Sequence, residues 1–417
     1  MPQTATSKTS VVERFLRYVT YDTQSAENSE TYPSTLKQLK LLDLLAEELR
    51  AIGLTDAERD VHGCVMATIP ATTKKTNVPV IGFIAHVDTS PELSGAGVKP
   101  IVHRDWQGQD IVLPDDPAAV LRVAENPALR EQIGNDIVTA SGATLLGADN
   151  KAGVAEIVAA AEYLMRHPDI PHGPVRIAFT PDEEIGQGAK HFDVAKFGAF
   201  CAYTMDAAGR GALEIETFSA DSMTVTFRGF NTHPGFAKSK MVNAIKIAAE
   251  FVTRLPKGLS PETTEGREGF VHPYVITGGV DSTSVRFIAR DFTTTGLQQH
   301  EAVIETLARE TVKTWPGASC LVEVQESYRN MKDVLDRFPQ VVGYAREAIE
   351  RAGLEVRETA IRGGTDGSRL SFMGLPTPNI FAGENNFHSR LEWVSAQDMG
   401  KAVEVIVHVA RIWEERA

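Results

Sequence analysis

The segment VIGFIAHVD, residues 80–88, joins a strand-like run to two side chains that can carry chemistry. Small and apolar residues from Val80 to Ala85 predict a buried strand, and His86 and Asp88 follow at its carboxyl end. Because residues i and i+2 of an extended chain point to the same side, His86 and Asp88 can converge on one point. An imidazole and a carboxylate that meet in this way suit a metal site or a His–Asp catalytic pair. The pair alone also allows a simpler interpretation, in which Asp88 only satisfies His86 at a strand–loop junction.

The length and composition of the chain are those of a globular, enzyme-like protein. With 417 residues the chain is too long for one ordinary core, so we expect two domains. Hydrophobic residues make up 42% and charged residues 23%, and the formal net charge is -13. This acidity argues against a nucleic acid or an anionic membrane as partner. No run of about 18 apolar residues occurs, so we expect no membrane-spanning segment.

The cysteines and the start of the chain bear on the compartment. Cys64, Cys201 and Cys320 are odd in number, far apart and not arranged as CxxC, so no disulfide framework is predicted. Reduced, mostly buried thiols suit a cytoplasmic protein. The first residues lack a basic stretch followed by an apolar one, so we expect no signal peptide and a cytoplasmic location.

Short apolar strands alternate with helices in the outer parts of the chain. This order predicts an α/β domain whose central sheet is mostly parallel and is flanked by helices. A stripe of leucines between residues 34 and 52, ending at Gly53, marks one amphipathic helix. Residues 92–140, rich in Gly, Pro and Asp, are predicted to be a long irregular segment. The predicted strands are Val65–Ile69, Val80–Ala85, Val175–Thr180, Ala199–Met205 and Pro378–Phe381, and the predicted helices cover 9–21, 34–52, Gly153–Arg166, Phe338–Ala352 and Ser395–Glu415.

The pattern changes in the middle of the chain, where apolar and polar residues alternate as in half-exposed antiparallel strands. The predicted order is β-α-β-β-α-β, that of a split ferredoxin-like unit. We therefore predict an α+β lid domain over 217–328, inserted into a catalytic domain formed by 1–216 and 329–417. The elements expected here are strands Leu213–Ser219, Ser222–Arg228, Tyr274–Gly278, Ser284–Asp291 and Cys320–Glu326, and helices Val242–Leu255 and Leu297–Trp315.

Four further signals place acids or imidazoles at the ends of predicted strands or at the start of a helix. LGADNKAG, residues 146–153, carries Asp149 into a helix, although a simple N-cap role for Asp149 or Asn150 is the alternative. TPDEEIGQG, residues 180–188, places three acids in a row, which repel one another unless a cation or a proton is present. A solvated acidic turn or a first helical turn is the alternative. Asp206 ends a strand, and His388 lies in the polar turn GENNFH, residues 383–388.

These signals point together to the carboxyl-terminal edge of an open α/β sheet, where such sheets bind ligands. Two imidazoles and three carboxylates, without a thiolate, suit two divalent ions that share a bridging carboxylate, most simply zinc. Such ions polarise a carbonyl and lower the pKa of a water, while a neighbouring carboxylate takes the proton. In this division of roles Glu184 binds metal and Glu183 shuttles the proton. The five predicted metal ligands are His86, Asp149, Glu184, Asp206 and His388.

The motifs resemble those of a di-zinc metallopeptidase family that includes carboxypeptidase G and the acetylornithine and succinyl-diaminopimelate deacylases. The resemblance covers nearly the whole chain, and NTHPG and RGGTDG, taken with the acidic motifs, are similar to the peptidase T group of tripeptide aminopeptidases. The motifs that carry it are HVDTSPE, LGADNKAG, TPDEEIGQG, MDAAGRGALEIETFSAD, NTHPG, RGGTDGSRLSFMGLPTPNIFAGE and NFH.

The resemblance implies a role for each matching residue. Asp149 would bridge two zinc ions, with His86 and Asp206 completing one site and Glu184 and His388 the other. Glu183 would be the general base, and Asp88 would orient His86. His233 would help stabilise the oxyanion. The residues implied to hold the substrate are Arg290 and Arg362 for its carboxylate or backbone, and Asn386 for its amino end.

Two departures from the family pattern are visible. Asn150 stands where many members carry a second Asp, and the segment Asn385–Glu392 differs from the tripeptide aminopeptidases beyond the NFH motif. Because Asp149 precedes Asn150 and is the implied bridge, we expect metal binding to survive.

The function predicted from the sequence is therefore a zinc-dependent aminopeptidase that acts on tripeptides. A dipeptidase or an N-acyl amino-acid deacylase on the same scaffold is the alternative, and a silent binding protein is disfavoured because every implied ligand is present. A nucleotide-binding protein is disfavoured because the chain lacks GxxxxGK[ST] and lacks GxGxxG after its first strand. Short peptides are the expected partners, Mn²⁺ or Co²⁺ could replace zinc, and both a monomer and a homodimer remain open.

Overall fold

A computed structural model describes residues 10–417. The chain divides into two compact units. Unit 1 contains the described residues up to Ile215, together with Val334–Thr359 and Thr365–Ala417. Unit 2 contains Glu216–Asp333 and the short segment Ala360–Gly364. The sequence predicts domain limits at residues 217 and 328, and these limits remain a prediction.

Each predicted helix and strand overlaps an observed element, and the structure contains further short elements that were not predicted. The helices are α1 Val11–Tyr18, α2 Gln38–Ile52, α3 Ala148–Arg166, α4 Val194–Phe197, α5 Ala244–Thr253, α6 Thr294–Lys313, α7 Lys332–Leu335, α8 Pro339–Arg351, α9 Asp366–Phe372 and α10 Ala396–Glu415. The strands are β1 Glu58–Arg59, β2 Val65–Ile69, β3 Ile81–His86, β4 Ile101–His103, β5 Ile111–Val112, β6 Val120–Leu121, β7 Ile137–Thr139, β8 Val175–Thr180, β9 Cys201–Ala207, β10 Ala212–Thr217, β11 Ser219–Arg228, β12 Phe270–Gly278, β13 Ser282–Asp291, β14 Ser319–Tyr328, β15 Arg357–Ile361, β16 Asn379–Phe381, β17 Glu384–Asn385 and β18 Trp393–Ser395.

The central sheet of unit 1 has eight strands in the order β1-β2-β8-β3-β9-β16-β10-β15. Strands β8, β3, β9 and β16 pair in parallel. The pairs β1–β2, β2–β8 and β16–β10 are antiparallel. The α/β class is thus confirmed as a mixed sheet with a parallel centre, and the carboxyl ends of β3 and β9 meet at one edge.

Alternating side chains explain why both faces of this sheet are covered. On β3, Phe83 belongs to the large core formed with α1, α2, α3, α8 and α10. Its neighbour Ile84 belongs to a smaller core on the opposite face, which includes Phe197 and Leu370. Because successive side chains of a strand point to opposite faces, an apolar run such as 81–85 needs a helix layer on each side.

Local signals account for several helix ends. Ser10 and Glu13 form a capping box at the start of α1, and Gly53 ends α2 with a φ of 113°. Residue 9, the first of the predicted helix over 9–21, lies outside the described residues.

The prediction of an irregular segment over 92–140 is wrong in part, because β4 and β7 pair there within a second sheet of order β17-β18-β7-β4. These strands are too short to give a periodic signal.

Unit 2 has the β-α-β-β-α-β order predicted from its alternating strands. Its sheet order is β12-β13-β11-β14 with antiparallel neighbours, and α5 and α6 cover one face. Phe227, Phe251 and Phe287 pack together in its core. Within residues 10–417, no helix is long and apolar enough to cross a membrane.

Candidate metal centre

Five side chains from separate segments of unit 1 converge at the carboxyl-terminal edge of the central sheet. His86 ends β3, Asp149 begins α3, Glu184 follows β8, Asp206 lies near the end of β9, and His388 follows β17. They form two groups, His86–Asp149–Asp206 and Asp149–Glu184–His388. Within each group the potential ligand atoms lie within 4.8 Å of one another. The structure thus brings together all five ligands predicted from the sequence.

The Asp149 carboxylate is common to both groups, and its two oxygens face different imidazoles. Oδ1 lies 3.0 Å from Nε2 of His86, and Oδ2 lies 3.2 Å from Nε2 of His388. Nε2 of His86 also lies 3.3 Å from Asp206 Oδ1, and Nε2 of His388 lies 2.7 Å from Glu184 Oε2. One carboxylate between two sets of donors is the arrangement that a bridging ligand requires.

Asp88 organises both a histidine and the acidic turn. Nδ1 of His86 lies 3.1 Å from the carbonyl oxygen and 3.3 Å from Oδ1 of Asp88, which leaves Nε2 directed at the ligand group. The Asp88 carboxylate also accepts the backbone N–H groups of Glu183 at 3.0 Å and Glu184 at 3.2 Å. A fully buried Asp88 therefore fixes the imidazole and the turn that carries both predicted acids.

Asp182 sets the conformation of the same turn from its other side. Its backbone has a φ of 61°, in the left-handed region that Asp tolerates better than most residues. Its buried carboxylate accepts the backbone N–H of Ser34 at 2.5 Å and the side-chain amide of Gln38 at 2.7 Å. The run of three acids is thus resolved: Asp182 is structural, and Glu183 and Glu184 face the ligand group.

Opposite charges and burial shift the pKa values of these ligands. Burial raises the pKa of Glu184 to about 8, and the Asp149 charge adds to the shift. Burial alone would lower the pKa of His388, but hydrogen bonds with Asp149 and Glu184 raise it to about 11. Burial also raises the pKa of Asp206. So many carboxylates in a buried space favour cations or retained protons.

Glu183 lies beside the ligand groups and belongs to neither of them. Its Oε2 is 4.0 Å from Nε2 of His86, and its Oε1 accepts the backbone N–H of Asp366 at 3.2 Å. Burial raises its pKa well above the ordinary value; the His86 charge opposes this shift, and the charges of Asp206 and Asp366 add to it. A buried carboxyl group held next to ligand atoms is placed to accept a proton from a water between them.

The donor set of the two groups fits divalent metal ions. Each group offers one imidazole nitrogen and two carboxylates, and Asp149 serves both. Oε1 of Glu184 is buried and has no hydrogen-bond partner in the described part of the chain. An unpaired carboxylate oxygen in a buried space is unfavourable without a cation, so the residues present are suited to a metal pair.

Backbone contacts hold Asp149 at the start of α3. Glu392 is buried, and its carboxylate accepts the backbone N–H groups of Leu146, Gly147 and Asp149 at 2.7, 2.8 and 3.0 Å. Asn150 accepts the Gly153 N–H at 3.2 Å, so the residue that departs from the family pattern has a local capping role.

Three residues predicted to act on the substrate lie in unit 2. His233 is exposed, and its Nδ1 accepts the Gly235 N–H at 3.1 Å, which leaves Nε2 as the ring nitrogen that can donate. Arg362 donates to the carbonyl oxygens of Gly266 and Glu268 at 2.9 and 2.8 Å. Arg290 donates to the Arg362 carbonyl at 3.2 Å, and its buried Nε has no partner among residues 10–417.

Asn386, predicted to anchor the substrate's amino end, has its side-chain amide engaged elsewhere. Its Nδ2 donates to Asn126 Oδ1 at 2.6 Å and to the Leu391 carbonyl at 3.2 Å. Its φ of 52° lies in the left-handed region that Asn tolerates. These contacts give Asn386 a role in shaping the loop before His388, and its substrate role remains a prediction.

Sequence reasoning missed three buried acids near the ligand groups: Asp366, Glu384 and Glu392. Asp366 and Glu384 lie within the motif RGGTDGSRLSFMGLPTPNIFAGE, but the residues around them in the sequence indicate no role for either. Glu392 follows the NFH motif by four residues, and nothing in its local pattern indicates that it holds backbone N–H groups of residues 146–149. Their burial is the property that distinguishes them from surface acids.

The chain is similar to known proteins over most of its length. The model of peptidase family M20/M25/M40 matches residues 147–412. Peptidase T of Geobacillus kaustophilus (strain HTA426) is 48% identical over 410 residues, covering 98% of this chain and 100% of that protein. Peptidase T of Clostridium botulinum (strain Kyoto / Type A2) is 48% identical over 406 residues, covering 97% and 99%.

Solved structures share the fold. The aminopeptidase PepT from Bacillus cereus ATCC 10987 superposes with a TM-score of 0.74 at 24% identity, covering 97% of this chain and 98% of that one. A tripeptidase from Staphylococcus aureus subsp. aureus Mu50 superposes with a TM-score of 0.72 at 23% identity over the same shares.

Proposed function

The chain belongs to peptidase family M20/M25/M40, and we propose that it is a metal-dependent aminopeptidase that releases the N-terminal residue of tripeptides. The observation that carries this proposal is the pair of ligand groups joined by Asp149. Two relatives that are 48% identical over nearly their full length are peptidase T proteins, which supports the choice of reaction within the family.

We propose that the two groups hold two divalent ions, most simply zinc. Imidazole nitrogens with carboxylate oxygens suit zinc, and Mn²⁺ or Co²⁺ also tolerate this donor set. When bound, the ions would act as Lewis acids on the scissile carbonyl and lower the pKa of the attacking water. His86 and Asp206 would hold one ion, Glu184 and His388 the other, and Asp149 both.

The protein's own residues would move the proton. Glu183 would accept it from the attacking water and later deliver it to the leaving amine, as one carboxyl group can in both directions. The Asp366 N–H at Oε1 orients this carboxyl, so that Oε2 faces His86. Asp88 would keep the His86 imidazole and the Glu183 backbone in register, because it contacts both.

Roles for the unit 2 residues rest on chemistry supported by their contacts. Arg290 is the better donor for a substrate carboxylate, because its Nε is unpaired whereas Arg362 is bonded to backbone oxygens. Arg362 would position Arg290 through its carbonyl. The Nε2–H of His233 would donate to the developing oxyanion, because Nδ1 already accepts the Gly235 N–H. A cation that binds a free carboxylate selects short peptides.

A cytoplasmic location is part of the proposal. Cys64, Cys201 and Cys320 are unpaired, and two of them are buried, as expected of a reducing compartment. The proposed substrates in this compartment are short peptides.

The proposal is tested by hydrolysis of Leu-Gly, Leu-Gly-Gly, Leu-Gly-Gly-Gly and N-acetyl-Leu-Gly-Gly, with two equivalents of zinc and after chelation. We expect metal-dependent release of leucine that is selective for the unblocked tripeptide. Preference for the dipeptide, or cleavage of the acetylated peptide, would instead identify a dipeptidase or a deacylase on the same metal centre.

A further inference from the structure

Glu384 is a buried acid without a hydrogen-bond partner for one of its oxygens. Its side chain is 2% exposed, and Oε2 contacts no donor in the described chain. A buried carboxylate left unpaired is unfavourable, so such a group calls for a ligand or an ion. By contrast, the neighbouring acid Glu392 is fully engaged with three backbone N–H groups.

The backbone places Glu384 between elements that carry metal ligands. It begins β17, four residues before His388, and pairs with Val394 of β18. Two residues earlier, the Ala382 N–H donates at 2.9 Å to the carbonyl of Ala207, which follows Asp206 on β9. Strand β17 also packs against α3, the helix that begins beside Asp149.

The surroundings of the Glu384 carboxyl group are negative. Burial raises its pKa well above the ordinary value, and the charges of Asp149, Asp206 and Glu392 raise it further, opposed by His86. Glu384 thus interacts electrostatically with Asp149, which is common to both ligand groups, and itself belongs to neither group. A small cation brought to this point would restore its charge and meet a favourable field.

An aminopeptidase substrate carries such a cation at a fixed position. Its α-ammonium nitrogen is attached to the Cα that bears the scissile carbonyl, two bonds from the reacting carbon. The group that holds the ammonium must therefore adjoin the metal ligands without being one of them. Glu384 meets both conditions. By contrast, the side-chain amide of Asn386 already donates hydrogen bonds to Asn126 and Leu391.

We propose that the Glu384 carboxylate binds the α-ammonium group of the substrate and so determines the specificity for peptides with a free N terminus. The inference rests on the proposed aminopeptidase function. It names the residue that would make the enzyme prefer a free N terminus over the acylated N terminus that a deacylase requires. An N-acylated peptide offers no cation, so its binding would leave the buried Glu384 carboxyl group protonated and without an ionic partner. A site of this kind rejects the uncharged analogue strongly.

The test compares Leu-Gly-Gly with its des-amino analogue, 4-methylpentanoyl-Gly-Gly, by calorimetry on the full chain loaded with two equivalents of zinc. All proteins carry Glu183→Gln to prevent turnover, and they differ in having no further change, Glu384→Gln or Glu156→Gln. Glu156 is a matched control, because it is also buried and its carboxylate is unpartnered, but it lies within α3 and near Asp398. Metal content is measured for every protein.

We expect Glu384→Gln to weaken Leu-Gly-Gly binding roughly 10- to 100-fold, as for loss of a charged hydrogen bond. Binding of the des-amino analogue and the metal content should not change, and Glu156→Gln should match the parent. A Glu384→Gln protein that still prefers the free amine, or that loses metal, would overturn the assignment. If this variant does not fold, Glu384→Asp replaces it, and a shortened carboxylate that leaves amine preference fully intact would also overturn it.

The same data separate this inference from the proposed function. A parent protein that binds both ligands equally well would contradict the aminopeptidase proposal itself. A parent that prefers the amine while Glu384→Gln does so equally would leave that proposal standing and remove Glu384 from it.

Discussion

Each oxygen of the Asp149 carboxylate has a different imidazole as its neighbour, and Glu183 lies just outside the two groups so defined. At the residue scale, the proposed chemistry depends on a division between acids that would bind metal and one acid that would accept a proton. Burial raises the pKa of both Glu183 and Glu184, but only Glu184 belongs to a ligand group.

Glu183→Gln should lower kcat for Leu-Gly-Gly by about 10²- to 10⁴-fold, because the amide cannot accept the proton. The metal content, measured by mass spectrometry, should stay at the parental level, since Glu183 is not one of the five proposed ligands. Loss of metal in proportion to the lost activity would contradict the role of general base. Glu184→Gln is the matched comparison, and it should lose metal.

Glu156 provides a pH-dependent prediction away from the metal centre. It is fully buried without a partner, and burial raises its pKa well above 4.5, with the Asp398 charge adding to the shift. Asp398 itself is paired with Arg210. The folded state binds the Glu156 proton more tightly than the unfolded state does. The free energy of unfolding is therefore not reduced by Glu156 below about pH 4.5, and it falls as the pH rises above that value.

Glu156→Gln should therefore leave the free energy of unfolding unchanged near pH 4 and increase it at pH 7 by about 1–3 kcal/mol, since each pH unit contributes about 1.4 kcal/mol. Urea unfolding at the two pH values measures the difference. An equal effect at both values would show that packing, and not the proton, accounts for it.

At the element scale, the start of α3 lies against the end of β9. A Cβ built at Gly153 would stand 2.1 Å from the Met205 carbonyl oxygen and 2.3 Å from Asn150 Oδ1. Backbone approach this close is possible only without a side chain. It keeps Asp149 on the helix and Asp206 on the strand near one another, so the glycine in LGADNKAG serves the metal centre indirectly.

Gly153→Ala should destabilise the protein by about 1–3 kcal/mol through overpacking and weaken metal binding by separating Asp149 from Asp206. Gly343→Ala is the control, because Gly343 lies in α8 and a Cβ added there would have nothing within 4 Å. That change should stabilise by about 0.5–1 kcal/mol, as alanine is favoured in helices. Thermal unfolding and zinc titration measure both effects, and similar results for the two variants would contradict the close-approach argument.

At the scale of the whole molecule, the five proposed ligands come from segments that are far apart in the sequence, between residues 86 and 388. Ions bound to all of them would tie β3, α3, the turn after β8, β9 and the loop after β17 together. Binding to the folded state alone stabilises it by linkage, by about 2.7 kcal/mol per ion at a free concentration 100 times the Kd.

Chelation should therefore lower the unfolding temperature as well as abolish activity, and zinc should restore both. The measurement is differential scanning calorimetry with and without a chelator. His388→Ala should show a smaller chelation effect than the parent, because it removes a ligand of only one group. An unfolding temperature that does not respond to chelation would contradict a bound metal pair.

The sequence by itself determined the α/β class, the order of elements in the inserted unit and the five residues that the structure brings together at the sheet edge. It could do so because apolar runs such as 81–85 indicate burial locally, and because strands β3 and β9 carry a histidine and an aspartate, residue types that can bind metal, at or near their ends. Short strands such as β4 and β7 were not predicted from the sequence, since three residues are too few to show a period.

Only the tertiary structure decided what the other acids do. Asp88 bonds the backbone of Glu183, 95 residues away, and Glu392 bonds that of Asp149 across 243 residues. Glu384 differs from a surface glutamate by its burial and its unpaired oxygen alone. The role of a carboxyl group depends on its partners and its solvent exposure, and contacts between distant segments set both.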